Sequence, residues 1–247
     1  MDVYYLPDTH IFFPKLFLSD VDVSSVPNYK VYRECFQILL NYHCSSDMGK
    51  IVLFPAINED FTRLLVSPYH NFLLLVMNQA RKATSIEDLR NRVVSMIKYD
   101  PQKDKFLGYW KLRWEKYNGW IPFNQEKIDS FITQRIIEVL TLFGDYYSTQ
   151  KMRFSLDTDK VEVKHDLLLS HRKSGILPKE VGYNDLKILA SCLVFTEELS
   201  PEGILYLITD DEPLKKSAKT EIEQLGKMYP DEDLTRFKVL DPKEICH

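Results

Sequence analysis

Glycine is scarce in this sequence, with 8 glycines among 247 residues. No Gly-rich loop that would cradle a phosphate is present, and neither the G-x-S-x-G nucleophile motif nor the H-E-x-x-H zinc motif occurs. These absences exclude the enzyme classes that depend on those motifs. They are P-loop nucleotide hydrolases, hydrolases with a nucleophile elbow, and metalloproteases with the H-E-x-x-H helix.

Cysteine is sparse too, and the four residues Cys35, Cys44, Cys192 and Cys246 form no C-x-x-C pair. Neither a disulfide framework nor a zinc ribbon is indicated, so we expect reduced thiols and a cytoplasmic location. Long apolar runs are also lacking, since the most apolar short run, 72–77, is far below the roughly 18 residues that span a bilayer. We therefore expect no membrane segment, and the acidic start of the sequence predicts no signal peptide.

Apolar and charged residues are plentiful by contrast. Hydrophobic residues make up 45% of the chain and charged residues 28%, which is enough for a packed core and excludes a disordered chain. The 32 Lys and Arg and the 36 Asp and Glu give a net charge of −4, which argues against non-specific coating of nucleic acid. That charge is compatible with an enzyme that handles phosphodiesters through a bound metal.

Short apolar runs alternate with amphipathic ones along the chain, which is typical of α/β proteins. Strands are predicted at 3–6, 51–55, 204–208 and 237–240, and helices at 29–42, 56–66, 184–195 and 214–228. Strands that alternate with helices imply a central parallel sheet covered on both faces, in an α/β/α arrangement.

Acidic residues lie at the ends of the predicted strands. Asp8 comes directly after the first strand and Asp210-Asp211 directly after the third, while Glu59 and Asp185 lie at the starts of helices. Ligands of parallel α/β sheets bind in the crevice at the carboxyl ends of the strands, so these side chains are expected to face one crevice. Like charges raise each other's pKa there, and Mg²⁺ or Mn²⁺ would relieve the repulsion. The pattern predicts a metal site.

Each of these acids, taken singly, also has an ordinary structural interpretation. Asp8 is then a loop acid, and Asp210-Asp211 is a helix N-cap pair. Glu59 and Asp185 are first-turn acids that the helix dipole favours. The order and the strand context of all four together favour the metal site.

The segments that carry these acids resemble the PIN-domain nucleases. Residues 6–10, LPDTH, resemble the family's opening D-T-N motif, and residues 51–59, IVLFPAINE, resemble its second strand and glutamate-bearing helix. Residues 183–190, YNDLKILA, are similar to the third acidic motif, and residues 207–211, LITDD, are similar to a strand followed by T-x-D.

The resemblance implies a PIN-like α/β/α sandwich and a nuclease that depends on Mg²⁺ or Mn²⁺, with RNA as the expected substrate. The implied metal ligands and catalytic residues are Asp8, Glu59, Asp185 and Asp211. Family members often dimerise, so a homodimer is an expectation as well.

Residues beside the acids are assigned supporting roles by the same resemblance. Thr9 and Thr209 are implied to orient the carboxylates, and Asp210 is a near neighbour of the fourth acid. His10 stands where the family usually has asparagine, which departs from the pattern.

The resemblance also implies how the domain is divided. It covers 3–66 and 176–242, so we expect a single domain with a core of 1–67 and 176–247 and a mainly helical insertion at 68–175. Helices are predicted in the insertion at 71–82, 85–97 and 128–143, and weak alternation over 151–164 predicts a hairpin.

Two segments combine features of nucleic-acid binding. Residues 98–120 interleave basic and aromatic side chains, which suits base stacking but suits a packed aromatic helix face better. Arg172 and Lys173 precede the Asp185 motif and are expected phosphate contacts if their loop overhangs the crevice; otherwise they are solvated loop residues.

Two other functions compete with the nuclease. One is a PIN-like module that binds RNA or protein without catalysis, having lost activity through changes such as His10. The other is a phosphatase or other metal-dependent hydrolase on a different α/β fold.

Overall fold

A computed structural model of the chain describes residues 2–11, 28–45, 48–63, 67–96, 154–228 and 236–246, with helical positions 130, 133, 134, 137 and 141. The strands are β1 (Val3–Pro7), β2 (Lys50–Ile51), β3 (Ile204–Ile208) and β4 (Phe237–Leu240). The helices are α1 (Tyr29–Ser45), α2 (Pro55–Phe61), α3 (Ser67–Ala80), α4 (Ile86–Met96), α5 (Thr158–Ser174), α6 (Tyr183–Glu198), α7 (Glu212–Met228) and α8 (Pro242–Ile245).

The four strands form one sheet in the order β2-β1-β3-β4, and every pairing is parallel. The predicted α/β class is therefore confirmed. Every residue of the two central strands is buried or partly buried, as is usual in parallel sheets. Leu6 of β1 pairs with Leu207 of β3, and both side chains are fully buried.

The order of the strands reverses between β1 and β3. The chain passes from β1 to β2 on one side of the sheet, whereas it passes from β3 to β4 on the other side. Such a reversal leaves a crevice at the carboxyl ends of the two central strands, where open α/β sheets bind ligands. Pro7 and Ile208 are paired at those ends, and the amide of Asp8 donates to the carbonyl of Ile208 at 2.9 Å.

Helix α6 contributes a continuous buried segment to the core, since its residues from Ile188 to Phe195 are all buried. The Phe195 ring contacts Tyr4 of β1, Phe54 before α2 and Phe154 before α5, with ring centroids 4.6–5.2 Å apart. Aromatic contacts of this kind fix α6 against the sheet.

Helix α5 replaces the hairpin that the sequence predicted at 151–164, so that prediction is wrong. Asp157 accepts hydrogen bonds from the amides of Asp159 and Lys160 at 3.0 and 3.3 Å and caps the helix. The polar residues around Asp157, which the sequence predicted to form a turn, therefore form the start of a helix. The helix ends at Gly175, whose φ of 80° is the left-handed conformation that glycine adopts most easily.

The expected insertion shares the core of the rest of the chain. Val76, Leu89, Val93, Val161 and Leu168 belong to the same cluster of buried residues as the strands. The helices predicted at 71–82 and 85–97 are present as α3 and α4, whereas residues 98–120 lie outside the described residues. No helix in the described ranges has the length and apolar character needed to cross a membrane.

Candidate functional site

Asp8 lies at the carboxyl end of β1 and is buried between the two central strands. Its Oδ1 accepts the amide of Thr9 at 2.6 Å, and its Oδ2 accepts the hydroxyl of Thr209 at 2.7 Å. Burial raises the pKa of Asp8, and the negative charge of Asp60 adds to the rise, while His10 and the Thr209 hydroxyl oppose it. Both threonines named by the resemblance thus contact this carboxylate, Thr209 through its hydroxyl group and Thr9 through its backbone amide.

Asp60 of α2 lies beside Asp8 and is 2% exposed. Its Oδ2 accepts the hydroxyl of Thr9 at 2.9 Å, and its Oδ1 accepts the Arg63 guanidinium at 2.8 Å. The side-chain amide of Asn184 also donates to Oδ1, at 3.4 Å. Asp60 therefore joins the end of β1 to the start of α6.

Glu59, which the sequence predicted as a metal ligand, is not part of this cluster. Its side chain is 51% exposed and pairs with the Lys187 ammonium, at 2.7 Å for one oxygen and 3.0 Å for the other. Successive side chains on a helix point about 100° apart, so only one of two adjacent acids can face the crevice. In α2 the buried positions are Ala56, Ile57, Asp60 and Phe61. The sequence shows that Asp60 shares a helix face with Ile57 and Phe61, and the packing of that face into the core turns Asp60 inward.

Asp185 lies in the first turn of α6 and faces the other acids. Its Oδ2 accepts the amide of Gly182 at 2.9 Å. A Cβ at residue 182 would lie 2.6 Å from that oxygen, so a larger residue there would displace the Asp185 carboxylate. Burial and the charges of Asp8, Asp211 and Asp60 raise the pKa of Asp185 to about 6, although the Gly182 hydrogen bond lowers it. The four aspartates therefore share one electrostatic environment.

Asp211 follows β3 and caps α7. Its Oδ1 accepts the amide of Leu214 at 2.8 Å, and its own amide donates to the Thr209 hydroxyl at 3.1 Å. The Thr209 hydroxyl thus contacts both Asp8 and the backbone of Asp211. This arrangement gives the threonine the orienting position that the resemblance implied.

Asp210 has a different environment from its neighbour. It accepts the Tyr32 hydroxyl, and its Oδ1 lies 2.6 Å from Nε2 of His10. The other ring nitrogen of His10 lies 3.4 Å from Oδ2 of Asp8. The imidazole therefore stands between two carboxylates, where a protonated ring would offset part of their negative charge.

Arg172 and Lys173, the expected phosphate contacts, lie in the last turn of α5. The Arg172 guanidinium donates to the carbonyl of Val181 at 2.9 Å, and Lys173 is exposed. Arg172 thus fastens the 175–182 loop that leads into Asp185.

The acids provide oxygen donors only, which is the chemistry that Mg²⁺ and Mn²⁺ prefer. A carboxylate offers about four lone-pair directions, so an oxygen that accepts one hydrogen bond can still bind a cation. Among the described residues, no three His, Cys, Asp or Glu side chains are already gathered closely enough to enclose a metal ion. The oxygen donors therefore suit a hard cation, and the side chains that carry them would have to rotate to enclose it.

Comparison of the chain with protein-family models, with curated proteins and with solved structures finds no match.

Proposed function

We propose that this protein is a metal-dependent nuclease of PIN-like architecture that hydrolyses phosphodiester bonds in RNA. The observation that carries the proposal is the meeting of Asp8, Asp60, Asp185 and Asp211 at the carboxyl end of the sheet. Burial raises the pKa of Asp185 to about 6, and the charges of the other three acids add to the rise. Acids held together in this way are characteristic of functional sites.

The topology supports the architectural part of the proposal. The acids flank the point between β1 and β3 where the strand order reverses, and this is where ligands of open α/β sheets bind. The helix after β2 carries Asp60, and Asp211 caps the helix after β3, and this placement of the acids supports the proposed architecture. The four cysteines form no disulfide bond, which supports a cytoplasmic location.

In this proposal Asp8, Asp60, Asp185 and Asp211 would hold Mg²⁺ or Mn²⁺. The cation, when bound, supplies an activated water and stabilises negative charge on the phosphodiester. The protein's own residues orient the site: the Thr209 hydroxyl fixes Asp8, the Thr9 hydroxyl fixes Asp60, and the Gly182 amide fixes Asp185. These hydrogen bonds orient individual carboxylate oxygens, and the side chains would still rotate toward a cation when it binds.

Substitution of the acids by asparagine tests the proposal. Asp8→Asn and Asp211→Asn are expected to abolish the Mn²⁺-dependent cleavage of a labelled RNA, because the amide keeps the shape and removes the anionic ligand. Asp166→Asn, an exposed position on α5, is the matched control and should cleave like the wild type. Undiminished cleavage by both site variants would contradict the assignment. Phosphomonoester substrates, assayed in parallel, separate a nuclease from a phosphatase.

One observation favours a second function, a PIN-like module that binds RNA or protein without catalysis. His10 lies against both Asp8 and Asp210, in a position where the resemblance implies an asparagine. An imidazolium there would compete with a cation for Asp8. Calorimetric titration with Mn²⁺ distinguishes the two functions, because the binding module predicts no heat of binding at millimolar metal.

A further inference from the structure

We infer that Tyr183 and Lys187 form a subsite for one nucleotide of a single-stranded nucleic acid, with the base on the tyrosine ring and the phosphate at the lysine. This inference rests on the proposed function, because it places the substrate strand beside the acidic cluster. It assigns the two residues to binding, not to the chemical step.

Tyr183 is a large aromatic side chain that is exposed and yet held in place. It is 57% exposed and lies at the first position of α6. Its ring packs edge to face against the buried His165, with ring centroids 4.5 Å apart and planes at 87°. Nε2 of His165 also donates to the carbonyl of Tyr183 at 3.3 Å. An aromatic ring fixed beforehand loses little entropy when a base stacks on it.

The pKa of His165 bears on how the tyrosine is held. Burial lowers that pKa, and the nearby charges of Lys187 and Arg172 lower it further, whereas Asp166 and the bond to the Tyr183 carbonyl raise it. The imidazole is therefore favoured in its neutral form at neutral pH.

Lys187 lies one helical turn beyond Tyr183, on the same face of α6. Its ammonium is paired with Glu59, whose side chain is half exposed. Exposed ion pairs contribute little free energy, so a phosphate can replace the carboxylate at Lys187. Glu59 then acts as the resident counter-ion of a phosphate-binding lysine.

The subsite adjoins the acidic cluster through short covalent and hydrogen-bonded links. Tyr183 lies between Gly182 and Asp185, the two residues whose hydrogen bond forms the helix cap. Asn184, the next residue, donates to Asp60. A base on Tyr183 therefore stacks two residues from Asp185 and next to the residue that bonds to Asp60. An aromatic ring with an adjacent cation is the usual platform for single strands.

Binding of a labelled oligouridine, followed by fluorescence anisotropy in EDTA at low salt, tests the subsite apart from cleavage. Tyr183→Ala is expected to weaken binding roughly 5- to 150-fold, the range for loss of one base–aromatic stack. Tyr183→Phe should retain the affinity, because it keeps the ring. Lys187→Gln should reduce the slope of log K against log salt by about 0.7.

Glu59→Gln gives a test of opposite sign. Removal of the competing carboxylate is expected to tighten oligouridine binding, by up to about fivefold. Met48→Ala is the control for an exposed apolar side chain, since Met48 is 55% exposed and precedes β2 at the opposite end of the strands. Lys216→Gln on α7 is the control for an exposed lysine. Neither control should change the affinity.

The outcomes separate this subsite from the proposed function. If Tyr183→Ala binds like the wild type, or if the wild type does not bind oligouridine at all, the subsite is overturned. If binding depends on Tyr183 but the wild type cleaves no RNA with Mn²⁺, the subsite stands and the nuclease proposal fails. Thermal melting of each variant shows that its fold is intact, and Lys187→Gln provides the binding test if Tyr183→Ala unfolds.

Discussion

Replacement of Asp185 by asparagine is expected to stabilise the metal-free protein at neutral pH. The carboxylate of Asp185 is held among Asp8, Asp60 and Asp211, and its pKa is raised to about 6. Asparagine removes the charge but retains an oxygen that can accept the Gly182 amide, which Asp185 binds at 2.9 Å. The helix cap is thus preserved while the repulsion is lost.

The magnitude follows from the pKa. The rise from 3.8 to about 6 corresponds to about 3 kcal/mol, at about 1.4 kcal/mol for each tenfold change in the dissociation constant. The folded state holds this proton more tightly than the unfolded state does. The contribution of Asp185 to stability is therefore lost as the pH rises from about 4 to about 6. We expect Asp185→Asn to raise the free energy of unfolding by about 1 to 3 kcal/mol at pH 7.5.

Thermal and urea unfolding in EDTA at pH 4.5 and 7.5 measure the effect. The gain for Asp185→Asn should be about 2 kcal/mol larger at the higher pH, and each kcal/mol should raise Tm by about 2 to 4 °C. Glu223→Gln, an exposed position on α7, is the control and should show no such gain. Added Mn²⁺ should then stabilise the wild type more than the variant, because only the wild type retains all four acids. A variant no more stable than the wild type at pH 7.5 without metal would refute the reasoning.

Three further predictions follow from particular contacts. Asp60→Asn should reduce RNA cleavage with Mn²⁺ at least as strongly as Asp8→Asn does, whereas Glu59→Gln should retain cleavage; the reverse result would restore Glu59 as the ligand. Gly182→Ala should weaken Mn²⁺ binding in calorimetry, because the added Cβ would lie 2.6 Å from Oδ2 of Asp185. Gly175 has a φ of 80°, so Gly175→Ala should lower the free energy of unfolding by about 1 to 2 kcal/mol and leave metal binding unchanged. His171→Ala should lower the free energy of unfolding by about 3 to 5 kcal/mol in urea, because it removes the partner of the buried Glu221, bound at 2.6 Å. No described residue gives Oε2 of Glu221 a hydrogen bond, so His171 provides the bond that holds this buried carboxyl group, and a loss below about 1 kcal/mol would contradict the prediction.

The fold class was predictable because buried parallel strands leave a strong local pattern. The run at 204–208 is apolar throughout, and the structure has β3 at Ile204–Ile208. The prediction of a hairpin at 151–164 was wrong because Asp157 and Thr158 suit a tight turn and a helix cap equally well. Short polar clusters do not distinguish these structures without their tertiary contacts.

The sequence by itself determined that Asp8 and Asp211 would lie at one edge of the sheet, because each follows a strand and parallel strands end at the same edge. The pairing of β1 with β3, which makes the two acids neighbours, is a property of the structure. Only the tertiary structure decided which acid of α2 joins them. The rotation of that helix about its axis is set by packing of Ile57 and Phe61 into the core, and this packing turns Asp60 inward and Glu59 outward. The raised pKa of Asp185 is likewise a property of the assembled fold, because it arises from burial and from charges that are distant in the chain.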